Sequence, residues 1–300
     1  TKNGMIKIID FNTTSKNEKD IYSDLAASIS AVLGTRSKLK KDKIPSKVYL
    51  TGNRWHPDVE QFKVKAFGMS DYNSSDVIFN DDGTKMYVSD STNGYIYHYN
   101  LSTAFDVSSA SYLNYYGSGF AVQSMAFNND GTKWFMLNTT QIREYSVSTG
   151  FDTTASNVSA STFSTLSSQD SNMMGVTFNN DGTKMYVIGA DGDDVNEYNL
   201  STAFDVSTAS YVQNFIVGTN DNIPTGLEFN NDGSKMFVLF DGNGGTNPPI
   251  TDDVSEYNLT SAFDISTASY VQKISVSNRE IYPKGLAFNN DGTKFYVTGR

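Results

Sequence analysis

The 300-residue chain contains no cysteine and only two histidines. Without thiols it can have no disulfide framework, no thiolate nucleophile and no cysteine-ligated metal site. Neither histidine stands in a His-Glu-x-x-His context, and no Gly-x-Ser-x-Gly motif is present. His98 lies inside the strand-like "YIYHYN" and reads as structural, while His56 precedes Pro57 in a turn. No apolar run approaches the length of a membrane span, and "TKNGMIKIID" at the start lacks the apolar stretch of a secretory signal.

With 38% hydrophobic and 13% aromatic residues, the chain can bury a substantial core. Its net charge of −10 is unevenly spread: residues 1–68 carry 13 Lys/Arg against 7 Asp/Glu, and residues 69–300 carry 10 against 26. A basic head therefore precedes an acidic body. Such a body is not expected to bind nucleic acid, because phosphate binding needs a basic surface, whereas the head can dock on something acidic.

One string recurs with small changes: "FNDDGTKMYV" from Phe79, "FNNDGTKWFM" from Phe127, "FNNDGTKMYV" from Phe178, "FNNDGSKMFV" from Phe229 and "FNNDGTKFYV" from Phe288. The spacings of 48, 51, 51 and 59 residues are those of propeller blades. The third copy divides into four strands, "GVTF", "KMYVIG", "VNEYNL" and "YVQNFIV". Strands this short and this apolar on both faces suit blades packed by neighbours on either side. The expected fold is an all-β propeller of four-stranded blades, with five favoured.

The repeated string itself reads as a turn. Gly supplies the positive φ of a tight hairpin between the first two strands, and the Asp at 82, 130, 181, 232 and 291 can accept from the turn backbone. Clustered Asp and Asn oxygens would also suit calcium, but the ligand spacing of a calcium loop is missing. No metal and no cofactor is expected.

Comparing the copies separates two classes of loop. The distance from anchor Phe to Lys is 6 in all five, and from the third-strand Tyr (99, 145, 198, 257) to the following Phe (105, 151, 204, 263) it is 6 in all four. The second-to-third and fourth-to-first links vary in length, and in a propeller these emerge together on one face. The other face is uniform, apart from a five-residue lengthening between Phe151 and Phe163. Diversified loops on a rigid frame suit binding. The largest departure is "DGNGGTNPPITDD" at 241–253, and the candidate ligand residues are Asp191, Asp193, Asp194 and Asn243. With Tyr116, Phe120, Phe240 and Tyr282 nearby, such loops could grip sugar hydroxyls and stack on sugar faces. Turn-forming chemistry produces the same Asn- and Asp-rich composition.

Catalysis finds little support. The first-strand positions expected to line the channel read Ser75/Asp76, Gln123/Ser124, Met174/Gly175, Thr225/Gly226 and Lys284/Gly285, among which no carboxylate pair converges. The chain is expected not to be an enzyme. Seven Asn-x-Ser/Thr sequons follow from the repeat and the composition, and no glycan is assigned to them.

Residues 1–46 read as a separate attachment segment, and 47–300 as the propeller. "SKNE" at 15–18 is a capping-box pattern, after which Ile21, Leu25 and Ile29 share one helical stripe before Gly34. A basic run follows with Arg36, Lys38, Lys40, Lys41 and Lys43, suited to a linker or a docking arm. The fifth repeat ends after two strands, so two more must close its blade. The apolar runs within 47–67, including Val48–Leu50, are the expected source, placed beside Phe295–Val297.

The alternation of "FNNDGTKMYV" with "YNLSTAFDVSTASYVQ", both halves recurring at Tyr99, Tyr198 and Tyr257, resembles the propeller repeats of virion structural and tail-fibre-like proteins of marine bacteriophages. The resemblance covers roughly residues 69–300. It implies a non-enzymatic component of the virion surface or tail. Such a component would dock on other virion proteins through its N-terminal segment, contact a host-surface glycan or receptor, and neither bind nucleic acid nor insert into a membrane. Similar repeats occur in bacterial surface proteins, so the competing class is an extracytoplasmic propeller acting as a glycan-binding adhesin or a hydrolase.

Overall fold

The computed structural model describes residues 4–11, 62–69, 73–154, 158–166, 168–218, 222–242, 252–277, 280 and 282–299, with the backbone alone at 4–11, 62–69 and 158–165. Strands β1 (Gly4–Phe11) and β2 (Phe62–Met69) precede four antiparallel blades arranged as a β-propeller. The first blade is β3 (Ser74–Phe79), β4 (Lys85–Asp90), β5 (Tyr95–Leu101) and β6 (Ala110–Gly117). The second is β7 (Ser124–Phe127), β8 (Lys133–Leu137), β9 (Gln141–Val147) and β10 (Val158–Thr165). The third is β11 (Met173–Phe178), β12 (Lys184–Gly189), β13 (Asp194–Leu200) and β14 (Ala209–Ile216). The fourth is β15 (Pro224–Phe229), β16 (Lys235–Phe240), β17 (Asp253–Leu259) and β18 (Ala268–Ser275). A further sheet joins β19 (Pro283–Phe288) and β20 (Lys294–Gly299) to β1 and β2, in the order β19, β20, β1, β2.

That last sheet corrects one expectation. The neighbour of Phe295–Val297 is Lys7–Ile9, not Val48–Leu50, and β1 in turn pairs with β2 from Phe11↔Phe62 to Gly4↔Met69. The stretch "MIKIIDF", apolar except at Lys7 and Asp10, suits an inner strand better than an attachment peptide. Residues 48–50 lie outside the described residues. So does the expected helix with Ile21, Leu25 and Ile29, and so does the basic run Arg36, Lys38, Lys40 and Lys41.

The core lies between blades. Phe135 and Leu137 of β8 pack on Met185 and Val187 of β12, and Tyr186 and Ile188 face Met236 and Val238 of the fourth blade. Trp134 and Tyr87 are fully buried between the first and second blades. Fourth strands differ from the expectation of two buried faces: Tyr112, Leu113, Tyr211, Val212 and Tyr270 are exposed, because among the described residues no further strand or blade lies over the outer edge.

The repeated string forms the inter-blade fastening. Each hairpin Gly has φ near +68°, which a residue with a Cβ adopts at a cost. At Gly182 a Cβ would also lie 2.2 Å from the ring of Phe204, which covers the turn. Phe204 itself has φ +54° and donates its backbone N–H to the Gly182 carbonyl at 2.9 Å. The same geometry links Phe105 to Gly83, Phe151 to Gly131 and Phe263 to Gly233. The carbonyl of each such Phe then accepts from the blade before it: from the Tyr87 hydroxyl at Phe151 (2.5 Å), Lys133 Nζ at Phe204 (2.6 Å) and the Tyr186 hydroxyl at Phe263 (2.5 Å). The Tyr296 hydroxyl reaches Phe105 (2.8 Å) from β20, linking the last repeat to the first blade. The five Asp residues accept from the Thr or Ser N–H two residues on at 2.9–3.0 Å, as expected for an Asx turn.

A second fastening runs around the same face. Asn129 Nδ2 donates to Asn180 O (2.7 Å), Asn180 Nδ2 to Asn231 O (2.6 Å), Asn231 Nδ2 to Asn290 O (2.6 Å), and Asn290 Nδ2 to Asp81 O. At the next position Asp81 replaces the amide and, when ionised, cannot donate. Burial, followed by the charges of Asp82 and Asp130, pushes the Asp81 carboxyl above its usual range. A group with a raised native pKa contributes stability that is present at low pH and lost as pH rises through that pKa. Asp81→Asn restores a donor, and one net hydrogen bond is worth about 1 kcal/mol. We expect Asp81→Asn to raise Tm by roughly 2–4 °C at pH 7 and by less at pH 4, whereas Asn180→Ala lowers it by a similar amount. Calorimetry at the two pH values checks both.

Candidate functional site

The two loop classes sort to opposite faces. First-to-second and third-to-fourth links meet where each Phe covers its hairpin Gly, and second-to-third links meet fourth-to-first links at the other end, as where Val217 N–H and Gly218 N–H donate to Asp193 O. The variable face is acidic, and its carboxylates hold the loops in shape. Asp90 accepts from Thr92 N–H (2.8 Å) and Asn93 Nδ2 (2.8 Å), and Asp170 accepts from Asn172 N–H (2.6 Å) and Gly192 N–H (2.9 Å). Asp170 also stands against Gly189, where a Cβ would collide with its carboxylate.

The candidate residues divide in the same way. Asp191 is exposed and accepts from the Ser171 hydroxyl. Asp193 has φ +48° and accepts from Ile223 N–H at 3.1 Å. Asp194 is buried and accepts from Asn196 Nδ2 (2.7 Å) and Asn214 Nδ2 (2.6 Å). Asn243 lies outside the described residues. Of the four aromatics, Phe240 is fully buried, Tyr116 packs on Trp134, and Phe120 lies under the Arg143 guanidinium at 4.3 Å. Tyr282 is exposed on this side.

At the ends of the long insertion, Asp241, Asp252, Asp253 and Glu280 come together, a grouping hidden in the sequence by 39 residues of separation. Lys284 pairs with Asp241 at 2.7 Å and Lys273 with Asp253 at 2.7 Å. Burial, then the charge of Asp241, pushes the Asp252 carboxyl up to about 6. Among the described residues no group of three or more His, Cys, Asp or Glu is arranged to hold a metal ion.

The channel is formed by the first strands, which touch in the cyclic order β3, β7, β11, β15, β19. Its variable-face mouth is a chamber of about 240 Å³ bordered by Ser74, Gln123, Asn172, Ile223 and Lys284. Its other end is a chamber of about 220 Å³ lined by Thr177, Glu228, Asn128 and Asn290. Between them the strands are tied together: Val176 N–H donates to Ser124 Oγ (3.2 Å), whose hydroxyl donates to Asp76 Oδ2 (2.8 Å). Asp76 also accepts from Met125 N–H and Val77 N–H, both at 2.8 Å.

Two carboxyls of the first strands, Asp76 and Glu228, are shifted, although only Asp76 stands among the entry positions. Burial pushes Asp76 up to about 7, and burial followed by the charge of Asp76 pushes Glu228 up to about 8. Asp76 lies near the start of its strand and Glu228 near the end of another, so a comparison of opening positions does not reach Glu228. His98 is a core residue: it contacts the Thr153 hydroxyl at 2.8 Å and packs edge-on against Tyr87, and burial holds it down at about 4.

No protein-family model matches this sequence, and no curated protein does. Among solved structures, a functionally unknown protein from Desulfotomaculum acetoxidans is 11% identical with a TM-score of 0.51, over 78% of this chain and 81% of that one. A Lactobacillus plantarum protein is 15% identical (TM-score 0.46; 72% and 62% covered), and Chaetomium thermophilum Sqt1 is 13% identical (TM-score 0.41; 76% and 53% covered). At these identities the first is a likeness of fold alone, and the other two are too distant to carry an argument.

The shifted groups make stability fall from acid to neutral pH. Asp76 and Glu228 have raised native pKa values, so their contribution is full below about 4 and is lost progressively as pH rises to about 7 and about 8. His98 has a depressed value and works the other way between about 4 and about 6.5, but it is one group against two. Thermal melts should therefore weaken between about pH 5 and pH 8. Glu228→Gln should make that decline shallower.

Proposed function

We propose that the chain is a non-enzymatic, five-bladed β-propeller, closed by its N-terminal strands, that serves as a structural component of a bacteriophage particle and offers its variable face to a host-surface glycan or receptor. The observation that carries the binding role is the division of labour between faces. Residues shared by the repeats, namely the hairpin Asn, Gly, Lys and Tyr with the Phe of the third-to-fourth link, all serve fastening on one face. Loops on the opposite face differ from blade to blade in length and chemistry. The assignment to a phage particle rests on the resemblance of the repeats. In this reading the N-terminal segment attaches the propeller to other virion proteins, with Ile21, Leu25 and Ile29 as the apolar contact.

The Asp76–Glu228 pair is the observation that favours a hydrolase instead. A general acid and base must both reach substrate. Asp76 is 5% exposed and receives three hydrogen bonds, which suits a strand clamp better than a reacting group.

Two variants test the proposal. Deleting 243–249 should leave Tm within about 2 °C, because surface loops change stability little with length, and should weaken adsorption of the particle to its host. Replacing 13–46 by a short Gly/Ser linker, which keeps β1 and β2, should give a folded propeller that no longer joins the particle. Unchanged adsorption and incorporation would refute the reading.

A further inference from the structure

The first strands of the five repeats end in one register, so the position just before each anchor Phe recurs around the hairpin end of the channel. The pairs are Ile78↔Tyr87, Ala126↔Phe135, Thr177↔Tyr186, Glu228↔Phe237 and Ala287↔Tyr296. All five first-strand residues line the chamber of about 220 Å³. Ala126 and Ala287 leave open the space that longer side chains would fill, which is room for several waters. Only the fourth blade places a carboxyl at this position. No fastening shared by the repeats needs it, since the equivalent residues are apolar or carry a hydroxyl.

The surroundings of Glu228 give it little to pair with. The Thr177 hydroxyl donates to it, and the charge that acts on it is that of Asp76 from β3, also negative. No Lys or Arg is among the residues lining the chamber, where the other ionisable group is Asp81, exposed in the first hairpin. The lining amides are already engaged: Asn128 holds its turn through Thr132 and Lys133, and Asn290 donates to Asp81 O. Lys284 lies at the opposite mouth of the channel and is paired with Asp241.

The remaining walls are hydrocarbon and aromatic, with Ile78, Phe79 and Phe127 beside the two alanines. A carboxylate in such an enclosure is costly while unpaired and favourable with a cation next to it. Calcium or magnesium would need six or more oxygen ligands, which these walls do not supply. An organic cation matches each feature: an ammonium group suits the carboxyl, an alkyl chain suits the aliphatic wall, and phenyl rings attract positive charge.

We propose that the hairpin end of the channel is a binding site for a small alkylammonium ion, its nitrogen against Glu228 and Thr177 and its hydrocarbon along Ile78, Ala126 and Ala287. The inference is independent of whether the propeller belongs to a particle, and the site lies at the opposite end of the channel from the variable loops.

The test uses the full-length chain with n-butylammonium as probe, followed by saturation-transfer NMR. Transfer to the butyl protons should be at least about fivefold stronger than to those of n-butanol, which has the same chain without the charge. Glu228→Gln keeps the size and the hydrogen bond but removes the charge, and should weaken butylammonium binding about tenfold or more, whereas Asp81→Asn should change it less than about twofold. A second readout needs no variant. Glu228 is half protonated at about pH 8, so each butylammonium bound there should release about half a proton into a weakly buffered solution. Equal transfer to butanol, unchanged affinity in Glu228→Gln, or binding without proton release would overturn the proposal, as would the absence of transfer from butylammonium.

Discussion

The structure depends on a contact between two residues in left-handed backbone: the hairpin Gly and the Phe that lies over it. Glycine accepts positive φ at little cost, but phenylalanine does not, and holding it there costs about 1–3 kcal/mol. That cost is sustained because the same twist turns the Phe carbonyl outward, where a Tyr hydroxyl or Lys ammonium from the preceding blade donates to it. Strain within one blade thereby becomes a bond between two. This is why the two halves of the repeat travel together in the sequence: either half alone leaves an uncovered turn or an unanswered carbonyl.

Fastening one face sets the other free. Between the faces, apolar second and third strands fill the space between blades, so the loops at the far end inherit fixed take-off points. They then shape themselves with carboxylates that cap their own backbone, as Asp90, Asp170 and Asp193 do. An acidic composition on that side is thus partly architectural, and the count of Asp residues overstates the charge available to a ligand. Asp191 remains exposed, whereas Asp194 is spent on two side-chain amides.

Most of the blade pattern was legible in the sequence because it is local and periodic: strand limits, the Asp-Gly turns and the two loop classes all repeat within about fifty residues. What was not legible depends on closure. Strand β1 carries none of the repeat motif, because a third strand contributes its backbone to the sheet whatever motif it lacks, so "MIKIIDF" looked like part of a head. Asp76 and Glu228 influence each other's charge only because the ring sets their two strands around one channel. Their separation of 152 residues, like the gathering of Asp241, Asp252, Asp253 and Glu280, has no signature in spacing.

The order of the last sheet also changes what the N-terminal region can do mechanically. A terminal arm is held at one end, and a pull on it is borne by a single peptide connection. An insertion between two paired strands is held at both ends, and any load on residues 12–61 passes through Phe11 and Phe62 into a sheet that is itself tied to the first blade by Tyr296. Force applied there is spread along β1, which is bonded on both sides, as shear across two strand ladders. Because Phe11 and Phe62 stand at the hairpin end of the channel and the described variable loops at the other, the packed blades between them separate contacts made at one end from contacts made at the other.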